Sequence, residues 1–274
     1  MMKKIFLSGL VLVFFLLNSC SRLDIAVQFA STYVVSKADD YFDLTSEQRK
    51  QLKENFNKDF RKVQQRIFPQ VADELMKGAD IIETKRPVDM ASITISYERM
   101  KNLFYDGLSL FSASALILGD QLAPKQIVYF QKEFDKKMLD LKDDENVKTS
   151  IKKMKKQFDS WMGTMTSAQK IEMEKFGAAN PPDATEKIFN RQLLAHEFVS
   201  AYPDKISRKK FIEKITKNFG ATYETKFSKS AKERNTKILG MVTSILNKMT
   251  ADQRQTLVET LRDRANQLAK ISKN

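Results

Sequence analysis

A short pattern that marks the start of a helix occurs four times in this chain, and it constrains the fold more than any other feature. The copies are Leu44-Thr45-x-x-Gln48, Leu122-Ala123-x-x-Gln126, Met165-Thr166-x-x-Gln169 and Met249-Thr250-x-x-Gln253. A Thr hydroxyl at this position accepts a hydrogen bond from the first free backbone N–H groups of a helix. The Gln three residues later reaches back to the N–H of the Thr itself. We therefore predict a helix start at each copy.

The second copy differs from the other three in its cap residue. It carries Ala123 in place of Thr and Pro124 at the first helical position. Proline favours that position, because the N–H that it lacks has no partner within the helix. We predict that this copy still starts a helix but lacks the side-chain cap.

The rest of the chain is typical of an all-α protein. Only eight Gly and six Pro occur in 274 residues, and no long alternating strand pattern is present. Apolar residues recur at steps of three and four, as they do on the inner face of an amphipathic helix. We predict eight or nine helices, arranged as antiparallel hairpins in a helical bundle.

The apolar spacing also gives expected bounds. Helices are expected at 24–37, from 46 to a bend or interruption at Pro69, onward to before Pro87, at 92–118, from 124 to 141, at 143–161, from 167 to Gly177, at 185–199, once or twice within 207–247, and from 251 to the end. Residues 20–274 are expected to form a single domain. A sub-boundary is possible at 178–184, where Pro181 and Pro182 interrupt the helical pattern.

The first twenty residues predict an exported and lipidated protein. Two lysines precede a run of thirteen apolar residues at 5–17, which is too short for a stable membrane span. The segment that follows resembles a bacterial lipobox: Leu17-Asn18-Ser19-Cys20. That resemblance implies a signal peptide at 1–19 and lipidation of Cys20, with palmitate among the acyl chains expected there. The alternatives are an ordinary signal peptide with a chance Cys, or a short core helix.

The residue after the Cys bears on the destination. Ser21, where an Asp would favour the inner membrane, resembles an outer-membrane address. We expect a lipid-anchored protein of the bacterial outer membrane that faces the periplasm. Once Cys20 is acylated no thiol remains, so disulfide bonds cannot stabilise the fold.

The charge of the mature chain favours acidic partners. Without residues 1–19 the chain keeps 45 basic and 34 acidic side chains, a net charge of +11. Nucleic acid is not expected as a partner, because a periplasmic lipoprotein rarely meets it. Anionic lipid, lipopolysaccharide, peptidoglycan and unfolded or acidic envelope proteins fit better. An equally simple interpretation is that the lysines only keep the surface soluble.

Residues that carry chemistry are sparse. The chain has one histidine, His196, and no nucleophile elbow, phosphate-binding loop or dinucleotide fingerprint. We therefore assign no catalytic residue, cofactor or metal. Chemistry that needs only carboxylates, such as glycan cleavage, stays open.

An acidic and aromatic joint precedes the first copy of the repeated pattern. It contains Asp39, Asp40 and Asp43. Carboxylates there favour the positive end of the following helix, which is the structural interpretation. A cation site or a carboxylate pair for acid–base catalysis is the functional alternative.

Two stretches of the chain resemble known proteins. The runs Cys20-Ser21-Arg22-Leu23-Asp24 and Ala38-Asp39-Asp40-Tyr41-Phe42-Asp43-Leu44-Thr45-Ser46-Glu47-Gln48 resemble the start of an uncharacterised family of helical lipoproteins from proteobacteria. The repeated L-T-x-x-Q pattern resembles the motif of small periplasmic stress chaperones. Those chaperones are cradle-shaped helical dimers that bind unfolded clients without ATP.

Together these features predict a non-enzymatic lipoprotein that binds an envelope partner, with chaperone-like binding as one form of that activity. Candidate functional or capping residues are Asp39, Asp40, Asp43, Thr45, Gln48, Thr166, Gln169, Thr250 and Gln253, beside the lipidation site Cys20. The alternatives are a carboxylate-dependent enzyme acting on envelope glycan or lipid, and a structural assembly subunit.

Overall fold

Our computed structural model describes part of the chain. Every secondary-structure element longer than one residue in that part is a helix. That part comprises residues 22–84, 86–144, 147–181, 184–217, 219 and 225–273. Twelve α-helices occur in it: α1 (Arg22–Phe42), α2 (Ser46–Arg66), α3 (Phe68–Thr84), α4 (Met90–Ser109), α5 (Ser112–Gln121), α6 (Pro124–Asp144), α7 (Val147–Met162), α8 (Ser167–Ala179), α9 (Ala184–Ala201), α10 (Lys205–Lys217), α11 (Thr225–Asn247) and α12 (Ala251–Ile271). The all-α prediction is confirmed, whereas the predicted count of eight or nine helices is wrong.

One of the extra helices arises at a break that the apolar spacing does not reveal. The expected helix at 92–118 is two helices, because the backbone tightens at Leu110 and Phe111. The N–H of each of these residues bonds to a carbonyl only three residues back, to Gly107 and Leu108. The apolar stripe continues through this turn, so the spacing alone predicted one helix.

The break near Pro69 also lies elsewhere than expected. Helix α2 ends at Arg66, and Pro69 is the second residue of α3. Proline in the first turn of a helix removes no hydrogen bond, since those N–H groups have no acceptor within the helix. The predicted interruption is therefore present, but it lies at Ile67, and Pro69 supports the start of the next helix.

The main core is built around α3 and α12. Ile82 lies beside Arg254, and a Cβ added to Gly78 would lie 4.0 Å from Leu261, so the two helices run antiparallel. Their buried apolar residues join those of α2, α4, α7, α8 and α11 in one cluster. Leu23, in the first turn of α1, is also buried in this cluster. The start of α1 is therefore fixed to the main core.

A second and smaller cluster lies where α1, α2, α5, α6 and α9 meet. Its buried residues are Leu44, Leu52, Leu122 and Ile127. Leu44 and Leu122 are the apolar residues that open the first two copies of the repeated pattern. No helix in the described residues is long and apolar enough to span a membrane.

Candidate functional site

Three copies of the repeated pattern form complete capping boxes. Thr45, Thr166 and Thr250 each accept a hydrogen bond from the backbone N–H of the Gln three residues later. The side chain of that Gln accepts one from the N–H of the Thr. The Thr backbone is extended in all three copies, with φ between −69° and −66°. These boxes start α2, α8 and α12.

The second copy keeps one of the two hydrogen bonds of the capping box. The backbone N–H of Ala123 donates to Oε1 of Gln126 at 2.9 Å, as the Thr N–H does in the other copies. Ala123 has no hydroxyl to return the bond. Helix α6 begins at Pro124, the position that the sequence predicts.

The four glutamines do more than cap, because they join in two pairs. Gln48 and Gln126 exchange hydrogen bonds between their amides, with Nε2 to Oε1 distances of 3.1 and 2.9 Å. The second Nε2 hydrogen of Gln48 goes to the carbonyl of Gln121 at 2.8 Å. The amide of Gln126 likewise donates to the carbonyls of Phe42 and Asp43. This pair ties the α1–α2 joint to the α5–α6 joint.

Gln169 and Gln253 form the second pair in the same way. Their amides exchange hydrogen bonds at 3.0 and 3.1 Å. Gln169 also donates to the carbonyls of Ile245 and Lys248, and Gln253 donates to that of Thr164. This pair ties the α7–α8 joint to the α11–α12 joint. All four glutamines are buried, Gln169 completely.

Pairing between glutamines is the part of this arrangement that sequence reasoning missed. The partners are 78 and 84 residues apart, so no local spacing reveals them. One signal was present in the sequence: Gln occurs in all four copies, whereas Thr occurs in three. If the Gln served only to complete a capping box, it would not be needed in the copy that lacks Thr. We conclude that these four glutamines hold separate parts of the fold together.

The acidic joint is also held by internal contacts. Asp39 accepts hydrogen bonds from the N–H of Leu44 at 2.8 Å and from the guanidinium of Arg49 at 3.2 and 3.3 Å. Asp40 pairs with Lys37 at 2.8 Å. Each of these two carboxylates is thus neutralised by its own cation.

Asp43 serves the same joint through its backbone. It follows the last residue of α1 and adopts φ 48°, the left-handed conformation that often ends a helix. Its carbonyl accepts one of the Gln126 bonds. The three aspartates therefore shape the turn between α1 and α2.

The other predicted sites give no cluster. Cys20 and the segment 1–21 lie outside the described residues. His196 is exposed on α9. Among the residues that the structure describes, no group of His, Cys, Asp and Glu could hold a metal ion.

Helices α1, α6 and α9 carry several exposed apolar side chains. Helices α1, α6 and α9 meet at an aromatic cluster of Phe42, Phe130 and Phe198, whose ring centroids are 5.1 to 6.0 Å apart. Tyr202 bonds to Leu122, while Phe198 contacts Phe130, so α9 runs antiparallel to α6. Lys137 reaches back to Asp40, so α1 also runs antiparallel to α6.

This antiparallel arrangement places several exposed residues at one level. Tyr33 precedes Phe42 by nine residues, Leu139 follows Phe130 by nine, and Phe189 precedes Phe198 by nine. At about 1.5 Å per helical residue, all three lie roughly 13 Å from the aromatic cluster in the same direction. Leu139 is 72% exposed, Phe189 54% and Tyr33 50%.

Two further exposed side chains lie beside them, one turn along α1 and α9: Phe29 and Leu193. We call these five residues the apolar end; they are Phe29, Tyr33, Leu139, Phe189 and Leu193. Nine residues are about two and a half helical turns, so the side chains of Tyr33, Leu139 and Phe189 point away from the aromatic cluster and toward solvent. Large apolar side chains exposed at one level of neighbouring helices are candidates for contact with a partner. The apolar end is thus the best candidate for a functional site.

Cations flank the apolar end on the same helices. Lys137 lies with its Nζ 3.7 Å from the centroid of the Tyr41 ring, a close cation–π contact. Burial lowers the pKa of Lys137, and the positive charge of nearby Lys37 acts in the same direction, against the opposing carboxylates of Asp40 and Glu133. Near the apolar end, Lys37 and Lys137 are therefore accompanied by the carboxylates of Asp40 and Glu133.

Comparison with known proteins gives one result. No curated protein and no solved structure is significantly similar to the chain. A family model matches residues 40–218, which include the first three copies of the repeated pattern and most of the apolar end. The chain belongs to this family, which is described as a family of unknown function (DUF6279).

Proposed function

We propose that this protein is a non-enzymatic lipoprotein of the bacterial outer membrane that faces the periplasm and holds unfolded or acidic envelope proteins at its apolar end. The observation that carries the proposal is the apolar end itself. Five large apolar side chains lie exposed there, and Lys137 lies on the same helix as Leu139. Unfolded segments expose apolar groups, and acidic ones would also be attracted by the net charge.

The predicted lipid anchor supports the same proposal. Cleavage before Cys20 would leave a single residue between the anchor and α1, which begins at Arg22. Leu23 is buried in the main core, so two residues separate Cys20 from a fixed point. The three Cα–Cα steps from Cys20 to Leu23 span at most about 11 Å, which would hold the body close to the bilayer.

The anchor can be tested directly. We predict that Cys20→Ala moves the protein from the membrane fraction to the soluble periplasm, because acyl chains supply the attachment. Fractionation of cells and the mass of the mature N-terminus are the measurements. An unchanged distribution, with no acyl mass on the wild type, would refute the lipoprotein assignment.

Site-specific crosslinking tests the apolar end. A photoreactive amino acid at position 139 or 189 should crosslink to a chemically unfolded, acidic client protein in purified solution. The same group at Ile95, which is 53% exposed on α4, serves as the matched control. Equal yields at all three positions would show that the apolar end has no special role.

Two other functions were open on sequence grounds. A carboxylate-dependent enzyme acting on envelope glycan or lipid gains no support at the acidic joint, because Asp39 and Asp40 pair with Arg49 and Lys37. A structural assembly subunit would use the same apolar end for a permanent partner. Lipopolysaccharide and peptidoglycan are further acidic partners, and competition by either against the client would distinguish them.

A further inference from the structure

A notch with two arginines is formed by helices other than those of the apolar end. It is a cavity of about 370 Å³ lined by Arg86, Pro87, Asn247, Met249, Ala251 and Arg254. This volume lies at the lower end of the range for small-molecule sites, roughly 300–1,000 Å³. The notch is bounded by the loop after α3, the end of α11 and the start of α12.

The loop that carries Arg86 is fixed by one side chain. Asn247, the last residue of α11, accepts a hydrogen bond from the N–H of Val88 at 2.7 Å. It also donates to the carbonyl of Val88 at 2.9 Å. Val88 is almost completely buried. Arg86, two residues before it, is thereby held at the rim of the notch.

Arg254 is held from the other side. It lies in the first turns of α12, half-buried, and its Nη1 donates to the carbonyl of Ile82 at the end of α3. This bond uses one of the five N–H groups of the guanidinium. The others are left for a ligand or solvent.

The two arginines lie close enough for the charge of one to act on the other. Burial lowers the pKa of Arg254, and the charge of Arg86 lowers it further. Among the described residues, neither arginine forms an ion pair. The nearest acids of α3, Asp80 and Glu83, pair with Arg262.

The start of α12 adds hydrogen-bond donors to the notch. Thr250 and Gln253 satisfy each other in the capping box, which leaves the backbone N–H groups of Ala251 and Asp252 without an acceptor in the described part of the chain. The first N–H groups of a helix point outward and carry the positive end of its dipole. Asp252 carries the one acidic side chain of this first turn, and it is exposed.

We propose that this notch binds a phosphate group, either as free phosphate or as a phosphate monoester of a lipid or sugar. Two guanidinium groups match a doubly charged tetrahedral anion, because each can donate two parallel hydrogen bonds. A phosphate monoester carries close to two negative charges at pH 7, which the two arginines balance. The site is independent of the apolar end, so either proposal stands if the other fails.

Calorimetry with inorganic phosphate tests the site. Purified protein at low ionic strength should bind phosphate, and Arg86→Gln and Arg254→Gln should each weaken binding at least tenfold. Arg61→Gln is the matched control, since Arg61 is exposed on α2 and its loss removes the same charge away from the notch. Arg86→Gln changes only an exposed loop residue, so it remains informative if Arg254→Gln folds poorly.

The pH dependence and the ligand series sharpen the test. Phosphate affinity should rise from pH 5 to pH 8 as the ligand gains its second charge, with a pKa of roughly 6 to 7, whereas sulfate affinity should stay constant. A sugar phosphate or a short-chain phosphatidic acid that binds more tightly than inorganic phosphate would identify the ester as the ligand. The opposite order would identify the free ion. No binding to the wild type, or equal binding to all three arginine variants, would overturn the proposal.

Discussion

Each paired glutamine amide uses both its oxygen as an acceptor and its nitrogen as a donor. Gln169, for example, accepts from the Thr166 N–H and from Gln253, and donates to Gln253 and to backbone carbonyls. In a buried site such bonds matter mainly through their loss. A group left unpaired costs about 1–3 kcal/mol, whereas a satisfied bond contributes only about 1 kcal/mol.

Gln169→Ala should therefore destabilise the protein by about 3 kcal/mol. The double change Gln169→Ala with Gln253→Ala should lower the free energy of unfolding by clearly less than the sum of the single changes. Each single variant leaves one buried amide without its partner, whereas the double variant has neither amide. Urea denaturation is the measurement, and Gln255→Ala, on the exposed face of α12, is the control. Additive losses would mean that the two amides act independently.

The caps themselves should contribute less than the pairs. Thr45→Ala, Thr166→Ala and Thr250→Ala should each cost about 1 kcal/mol, the usual effect of losing a side-chain cap. Ala123 occupies the same position in the second copy, which shows that the α5–α6 joint forms without the hydroxyl. If denaturation midpoints stay constant while client binding is lost, the threonines are contact residues.

Among the helices, the space around two glycines shows how closely neighbouring helices pack. A Cβ added to Gly177 on α8 would approach the side chain of Ile151 on α7 to 2.7 Å. A Cβ added to Gly240 on α11 would meet nothing within 4 Å. The two positions are both helical, so they differ mainly in the space around them.

We predict opposite effects of Gly177→Ala and Gly240→Ala. The first should destabilise by about 1–3 kcal/mol, because Ile151 must move in a packed interface. The second should stabilise by about 0.5–1 kcal/mol, since Ala loses less backbone entropy than Gly in a helix. Thermal denaturation of the two variants against the wild type measures both. A stabilising Gly177→Ala would show that α7 and α8 are not closely packed in solution.

One ion pair between elements should respond to pH. Burial disfavours the charged form of Glu172 on α8, but hydrogen bonds from Lys248 and Ser244 outweigh it, so the pKa of Glu172 lies below its ordinary 4.5. A carboxylate with a lowered pKa in the folded state stabilises it fully above the unfolded value. That contribution is lost as the pH falls through the lowered value.

Glu172→Gln should therefore lower stability by less than about 1 kcal/mol at pH 7, as for other surface pairs, and by nothing near pH 2. Denaturation midpoints of both proteins between pH 2 and 7 give the difference. A difference that stays constant across this range would indicate that the amide disturbs packing and that charge is not the cause.

How much the sequence could predict also depends on scale. Helix starts at 46, 124, 167 and 251 follow from local chemistry, because a cap involves only four neighbouring residues. The pairing of Gln48 with Gln126 depends on contacts across the whole molecule, and the turn at Leu110 interrupts an apolar stripe that continues unchanged. Exposure of Leu139 likewise depends on which neighbours α6 has. The glutamine pairing, the turn at Leu110 and the exposure of Leu139 therefore cannot be recognised from residues that are neighbours in the sequence.

At the scale of the whole molecule, the two glutamine pairs occupy equivalent places. One joins the α1–α2 and α5–α6 joints, and the other joins the α7–α8 and α11–α12 joints. The described helices thus follow the same order twice in two runs of six, which is the arrangement expected from an internal duplication. The apolar end combines elements of both runs, because α1 and α6 belong to the first and α9 to the second.

The central claim is that the apolar end holds clients without breaking a bond. It is tested most directly by light scattering of an aggregating acidic client against the ratio of protein to client, at low and high salt. The wild type should suppress scattering near a stoichiometric ratio and less well at high salt, because exposed charges are then screened. Leu139→Ser with Phe189→Ser should abolish suppression, whereas Ile95→Ser with Ile171→Ser, which are similarly exposed elsewhere, should not. Suppression that survives the first pair of changes, or peptidoglycan digestion by the same preparation that is lost in Asp39→Asn, would contradict the account.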